Sequence, residues 1–94
     1  MALNFADRLA VRPNIVQRCT AVVIAYAGQL LAGSPTTSQL AWAREAMRAP
    51  AQFGEQVSYH VIVAQAFIDN GSGITDGDLE FLVVTAINTH FIGA

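Results

Sequence analysis

Apolar residues recur every three or four positions between Asn14 and Ala32, and this spacing constrains the fold more than any other feature of the sequence. Such spacing places apolar side chains along one face of a helix. The stripe comprises Ile15, Val16, Cys19, Val22, Val23, Tyr26, Leu30 and Leu31. Asn14 suits the N-cap and Gly33 the C-cap of this segment. We predict one amphipathic helix from about residue 14 to residue 32.

A shorter helix is predicted ahead of it. Residues 2–12 also place apolar side chains at helical spacing, namely Leu3, Ala6, Leu9 and Ala10. Arg12 precedes Pro13, where a helix tends to stop or kink because proline lacks an N–H and restricts the residue before it. The sequence therefore predicts a break at Pro13.

Capping residues mark the starts of three further helices. Thr36 with Gln39 matches a capping box, and Pro50 suits the first turn of the helix that follows. Thr75 with Asp78 resembles a second capping box before the last apolar segment. Together these segments predict an all-α fold, a compact bundle of about four helices plus the short N-terminal one, in a single domain spanning residues 1–94.

The second half of segment 51–69 and the segment 76–92 are apolar on nearly every side. A helix of this kind lies at the centre of a fold or at an interface. In the second segment the run FLVV at 81–84 also suits a short strand, since β-branched residues are common in strands. The cap at Thr75 and the length of the segment favour a helix.

The stretch DNGSGITDGDLE, residues 69–80, has the length of an EF-hand calcium loop. Asp69 and Glu80 occupy its first and last positions. Gly71 and Gly73 stand at positions three and five, where side-chain oxygens are required. Calcium binding is therefore not predicted. The acidic residues at 76, 78 and 80 instead suit the first turns of a helix, whose positive dipole end favours carboxylates.

Composition predicts that apolar surface is left exposed for a partner. Hydrophobic residues make up 53% of the chain, charged residues only 13%, and the mean hydropathy is +0.41. A chain of this size buries about 60–70% of the surface its unfolded form exposes. Large exposed apolar patches usually mark interaction sites.

Neither export nor membrane insertion is predicted. The longest uninterrupted apolar stretch, from Ala21 to Ala27, is too short to span a bilayer. The N-terminal residues mix Asp7 with arginines, unlike a secretory signal. The single cysteine, Cys19, suits a reducing compartment and lies on the apolar stripe, so we expect it to be buried and unreactive.

Charge is segregated between the two halves of the chain. All five basic residues are arginines within the first 48 positions, which carry a net charge of +3, whereas the remaining residues carry five carboxylates and no base. This asymmetry indicates either pairing between neighbouring helices of one chain or a head-to-tail contact between subunits.

No constellation of catalytic residues is evident, so no enzyme is predicted. His60 and His90 are the only histidines, and two imidazoles without a third ligand make a weak metal signal. We expect packed or half-exposed histidines, which face each other if their helices pair. Neither a P-loop nor a dinucleotide fingerprint occurs, and no cofactor is predicted.

Nucleic-acid binding is not expected either. Residues 36–53 can be divided into a helix-turn-helix that exposes Gln39, Arg44 and Arg48. The net charge of the chain is −2, and its arginines are spread over two or three helices. Phosphate contacts need a concentrated basic face.

Three segments resemble small helical virion proteins of tailed bacteriophages: FADRLAVRPNIVQRCTAVVIAYA, LAWAREAMRAPAQF and TDGDLEFLVVTAINTHFIGA. The resemblance covers most of the chain and contains no catalytic signature. It implies a virion component of the capsid or neck, either a connector ring beneath the portal or a protein that decorates the shell. Its partners would be further copies of itself and the portal or capsid proteins.

The resulting hypothesis is a structural subunit that assembles through apolar helix faces and arginine–carboxylate pairs. The candidate interface residues are Arg8, Arg12, Arg18, Trp42, Arg44, Arg48, Asp76, Asp78 and Glu80. Trp42 suits an interface anchor and a core residue equally well. A bacterial helical adaptor that forms a dimer is the main alternative, and a small metal-binding or nucleic-acid-binding protein ranks third.

Overall fold

The computed structural model describes residues 12–64 and 75–93, with side chains described for 15–61 and 75–93. These residues form four α-helices and a C-terminal π-helix: α1 (Arg12–Ala32), α2 (Thr37–Arg48), α3 (Pro50–Ala64), α4 (Asp76–Ile87) and the π-helix (Asn88–Ile92). The predicted all-α bundle is confirmed. No strand occurs in the described ranges, and FLVV lies in α4. The short helix predicted over 2–12 lies outside these residues except for Arg12.

The start of α1 differs from the prediction. Arg12 and Pro13 belong to its first turn, so the helix starts two residues earlier than predicted and Asn14, expected as the N-cap, lies inside it. The predicted break from the preceding segment concerns residues outside the described part of the chain. Proline is tolerated in a first turn because the N–H it lacks would have no helical acceptor there. The other end agrees: α1 ends at Ala32, and Gly33 donates its N–H to the Leu30 carbonyl at 3.3 Å.

Local capping sets the starts of the next helices as predicted. At α2 the Gln39 N–H donates to Thr36 Oγ1 at 3.2 Å, and the Thr36 N–H donates to Gln39 Oε1 at 2.9 Å. Pro50 is the first residue of α3. At α4 the Asp78 N–H donates to Thr75 Oγ1 at 3.2 Å. These bonds satisfy N–H groups that the first turn of a helix otherwise leaves unpaired.

Helix α1 is central and packs against α2, α3 and α4. Its buried residues follow each other at steps of four: Ile15, Cys19, Val23 and Ala27. The other helices complete the core with Trp42, Ala43, Ala46, Val57, Val61, Leu79, Val83, Ala86 and Ile87.

Leu31 of the predicted apolar stripe lies outside instead, and an apolar residue of α2, Met47, is exposed as well. Leu31 lies in the last turn of α1 and is 41% exposed, and the residues that follow it up to Ser34 are exposed too. Met47 is 44% exposed, since the buried face of α2 is formed by Trp42, Ala43 and Ala46. Apolar spacing located the helices, whereas neighbouring helices decide which part of each stripe is covered.

The contact between α1 and α3 depends on a glycine. A Cβ atom added to Gly54 would lie 2.8 Å from the Cα of Thr20 and closer still to its hydroxyl. The hydroxyl of Thr20 donates to the Val16 carbonyl at 2.7 Å, and the buried Ser58 hydroxyl donates to the Glu55 carbonyl at 2.7 Å. Polar groups of this contact are therefore satisfied within their own helices, and the two backbones approach closely.

By length and composition alone, α1 also meets the requirement for a membrane-spanning helix, with a mean hydropathy of 1.4 over Ile15–Ala32. Core helices and signal sequences pass the same test. Only 22% of this window is buried inside the chain. Much of the apolar surface of α1 therefore faces outward.

Candidate interaction surface

An aromatic cluster fills the region where α1, α2, α3 and the π-helix meet. Trp42 packs against Tyr26 and Phe53 with ring centroids 5.9 and 6.0 Å apart, and Phe53 lies 6.2 Å from Phe91. The Tyr26 hydroxyl is 3.2 Å from Asn88 Oδ1, to which it donates. Trp42 is only 6% exposed, so of the two roles left open by the sequence it takes the core role.

The indole N–H of Trp42 is buried and has no hydrogen-bond acceptor among the described residues. A buried donor without a partner costs stability, typically about 1–3 kcal/mol. Tyr26 and Phe53 nevertheless pack against the ring, and a residue of this size buries on the order of 200 Å². The indole acts here as an apolar filler.

His60 and His90 face each other, as considered from the sequence. Their rings stack with centroids 4.0 Å apart and an interplanar angle of 12°. The edges of Phe91 and Tyr59 meet His60 at 5.6 and 6.0 Å. The faces of the two imidazoles, and not their nitrogens, point at each other, and the described residues contain no cluster of three or more metal-binding side chains. This geometry favours packing over coordination.

The pKa of His60 is lowered from its usual 6.5, first by burial and second by the neighbouring His90. Both causes oppose a positive charge on the ring. Two unit charges 4 Å apart repel by about 1 kcal/mol in water and by about 4 kcal/mol at an effective dielectric constant of 20. The stack therefore favours the neutral form of His60.

Cys19 lies fully buried in the core, as predicted. Burial raises the pKa of its thiol to about 12, and the nearby Arg18 offsets this only in part. Since the thiolate is the reactive form, a thiol with such a pKa is inert at neutral pH.

Among the described residues, one ion pair joins the basic half of the chain to the acidic half. Arg18 Nη2 lies 2.9 Å from Asp76 Oδ1 and joins α1 to the first turn of α4. Asp76 is 98% exposed, so the pair contributes at most about 1 kcal/mol. The sequence predicted either pairing within one chain or contact between subunits, and at this position the charges pair within the chain.

The remaining candidate charges lie on two separate exposed surfaces. Arg44 and Arg48 project from α2 beside Met47, and Arg48 also pairs with Glu45 of the same helix at 2.7 Å. We call the set Arg44, Met47 and Arg48 the basic face. Asp78 and Glu80 are exposed on α4 and form no ion pair among the described side chains. Arg8, and the side chain of Arg12, lie outside the described part.

A groove of about 190 Å³ opens between α1 and α4 beside these carboxylates. Its walls are Ala21, Val22, Ala25, Tyr26, Gln29, Glu80 and Val84. Glu80 is the only charged residue of this lining, and Phe81, 70% exposed, follows it on α4. We call this surface, with Asp78, the acidic groove. The sequence pointed to its carboxylates, whereas the groove itself depends on how α1 and α4 pack.

Comparison with known proteins adds no family to this geometry. No protein-family model matches the chain, and no curated protein or solved structure is significantly similar to it. The resemblance to tailed-phage virion proteins therefore stays a prediction from sequence. Arguments about function depend on the surfaces of this chain alone.

Proposed function

We propose that the chain is a non-enzymatic structural subunit that assembles head to tail, and that it serves as a connector or adaptor component of a tailed-phage virion. The observation that supports this best is the presence of two exposed, charge-complementary surfaces on one chain. The basic face presents Met47 between two arginines, and the acidic groove presents an apolar cleft beside Glu80. The arginines of the basic face complement the carboxylates of the acidic groove, and Met47 complements its apolar cleft.

The placement of the two surfaces favours an open, head-to-tail contact. Helices α2 and α4 each pack against α1 and only slightly against each other, so the basic face and the acidic groove belong to different parts of the bundle. A contact between two different surfaces repeats from copy to copy and closes into a ring when the rotation permits. The proposed connector ring requires this kind of contact.

The side chains suit a weak contact that strengthens by repetition. Methionine is flexible and fills irregular apolar grooves. Arginine bonds a carboxylate through two N–H groups, which fixes the register of the contact as well as its strength. Arg48 exchanges an exposed partner, Glu45, for one on the next subunit, and an exposed pair of this kind costs little to give up.

A charge-swap experiment tests the contact. Light scattering would measure the mass of the wild-type chain over a concentration series, from low salt to about 1 M, where the screening length falls to about 3 Å. We expect a discrete oligomer that dissociates as salt rises. Arg44→Glu or Glu80→Arg alone should raise the dissociation constant by about tenfold or more, since each places like charges in contact.

The double variant carrying both reversals supplies the decisive comparison. If Arg44 and Glu80 meet across the contact, the double variant recovers association that each single variant lost. Gln56→Arg, an exposed charge change on α3 away from both surfaces, is the control and should leave the mass unchanged. A wild-type chain that stays monomeric at every concentration and salt would contradict self-assembly, and additive losses in the double variant would contradict this pairing.

A closed dimer, as in a helical adaptor, is favoured by a different observation. Arg18 is the one charged residue among the described side chains of α1. The residues of the outer face follow alternating steps of four and three: Gln17, Ala21, Ile24, Gly28 and Leu31. This spacing suits packing against a second helix. A discrete dimer that salt does not dissociate, and that Ile24→Asp abolishes, would establish this alternative. A capsid decoration protein would instead associate only with the assembled shell.

A further inference from the structure

The C-terminal π-helix is held against α3 by the stacked histidines. His90 belongs to the π-helix and His60 to α3, and the stack joins residues 30 positions apart in sequence. A π-helix is rare, and isolated turns of it occur frequently at functional sites. Here it brings two consecutive side chains, His90 and Phe91, to the same ring of His60.

Among the described residues, no carboxylate lies beside the stack. On α4 the residues beside the pair are Leu82, Thr85 and Ala86, and they line a cleft of about 90 Å³ together with Val61 and Thr89. On α3 the titratable neighbour is Tyr59, whose ring edge meets His60, while Glu55 lies five residues earlier on the helix.

The other helices place their charges elsewhere. The acidic residues of α4 are at its opposite end, in and just after the first turn. Arg18 of α1 bridges to that same end through Asp76, and Tyr26 of α1 donates a hydrogen bond to Asn88 of the π-helix. The charged residues of α2, namely Arg44, Glu45 and Arg48, are on its exposed side, opposite Trp42. A proton on His60 is thus opposed by burial and by the neighbouring His90, and no carboxylate of the described residues faces it.

We propose that His60 and His90 form a pH-sensitive latch, closed while both rings are neutral and opened by protonation, which releases the π-helix from α3. Release is local. It gives up the contact between Phe53 of α3 and Phe91, whereas the Tyr26–Asn88 hydrogen bond holds the start of the π-helix and the buried residues of α1 to α4 retain the core. The latch is independent of the proposed assembly, since neither histidine belongs to the basic face or the acidic groove.

The direction of the effect follows from the pKa of His60. Because burial and His90 hold that pKa below 6.5, the released segment binds a proton more readily than the latched one. The closed state is therefore fully favoured above pH 6.5 and loses stability as the pH falls below it.

NMR relaxation tests the latch in the intact chain. The backbone heteronuclear NOE of residues 88–92 would be measured at about pH 7.5 and about pH 5, on either side of the histidine pKa range. We expect the NOE of these residues to fall at the lower pH while that of α1 is retained. An unchanged NOE once both imidazoles have titrated would overturn the proposal.

Two variants test whether the loss of order at low pH arises from the His60–His90 stack. His60→Phe keeps a ring in the stack but removes its proton site, so residues 88–92 should stay ordered at both pH values. His90→Gln should raise the pKa of His60 by removing the neighbouring charge, as followed by its ring proton shifts. Thr89→Gln, an exposed neighbour outside the stack, is the control and should behave as wild type. Loss of order with falling pH in His60→Phe equal to that of wild type would contradict the latch.

Discussion

At the scale of single residues, small buried residues determine how closely the helices pack. Gly54 permits α3 to approach Thr20 of α1, and Cys19 completes the core at the same level of α1. Glycine costs a helix interior about 1 kcal/mol relative to alanine. A glycine at position 54 is explained by the close approach of the α1 and α3 backbones, which outweighs that cost.

We expect Gly54→Ala to lower the free energy of unfolding by about 1–3 kcal/mol, because the added methyl group forces the backbones of α1 and α3 apart. Chemical denaturation followed by circular dichroism would measure it. Gly28→Ala is the matched control: a Cβ added there meets no atom within 4 Å, so the gain in helix propensity should stabilise α1 by up to about 1 kcal/mol. Equal effects of the two substitutions would contradict the close contact.

Cys19 should resist thiol reagents in the folded chain. Its burial and its pKa of about 12 leave almost no thiolate at neutral pH. We expect modification with a chromogenic disulfide to proceed only as fast as the chain unfolds, and to become rapid in denaturant. Rapid labelling without denaturant would show that the α1 core opens locally.

At the scale of the helices, capping determines where a helix begins, and packing determines how it is oriented. The caps at Thr36 and Thr75 act within four residues and define where α2 and α4 begin. The orientation of each helix depends instead on α1, against which all the others pack. The π-helix adds a case that capping does not explain, since it continues directly from α4 without a side-chain cap.

Thr36→Ala should destabilise the fold by about 1 kcal/mol, because it removes the acceptor for the Gln39 N–H at the start of α2. Thr36→Ser keeps a hydroxyl at this position and should recover most of the loss. Thermal or chemical denaturation measures both variants. A loss in Thr36→Ser as large as in Thr36→Ala would show that the methyl group matters and not the cap.

At the scale of the whole molecule, the residues that stabilise the fold differ from those of the proposed assembly contact. The core is apolar, whereas the charges of the basic face and the acidic groove lie outside it and bear little on the fold. Exposed substitutions of this kind usually change stability by less than about 0.5 kcal/mol. The proposed head-to-tail contact therefore predicts variants that fold normally and fail to associate.

Glu80→Arg should leave the free energy of unfolding within about 0.5 kcal/mol of wild type while it weakens association. Denaturation at low protein concentration and light scattering at high concentration measure the two quantities separately. Asp76→Ala is a useful comparison, since it removes the Arg18 pair at a cost of at most about 1 kcal/mol. A large loss of stability in Glu80→Arg would show that the residue supports the fold.

Acid should destabilise the folded chain from about neutral pH downward. The pKa of His60 is lower in the folded state than its usual 6.5, so the unfolded chain binds more protons as the pH falls through that value. The free energy of unfolding should thus decrease below pH 6.5, and His60→Phe should reduce this dependence. Denaturant titrations across the pH range would measure it, and a wild-type stability that is constant between pH 7 and pH 5 would contradict the shift.

The sequence by itself determined the helical fold, the starts of α2, α3 and α4, and the burial of Cys19, because these depend on spacing and caps within a few residues. It also pointed to Arg44, Arg48, Asp78 and Glu80 as exposed charges. Packing of helices distant in sequence decided the rest. It exposed Leu31 and Met47, buried Trp42, paired Arg18 with Asp76, formed the groove between α1 and α4, and stacked His60 on His90. A local pattern shows that a residue is apolar or charged, whereas what covers it is set by helices that the chain brings together only on folding.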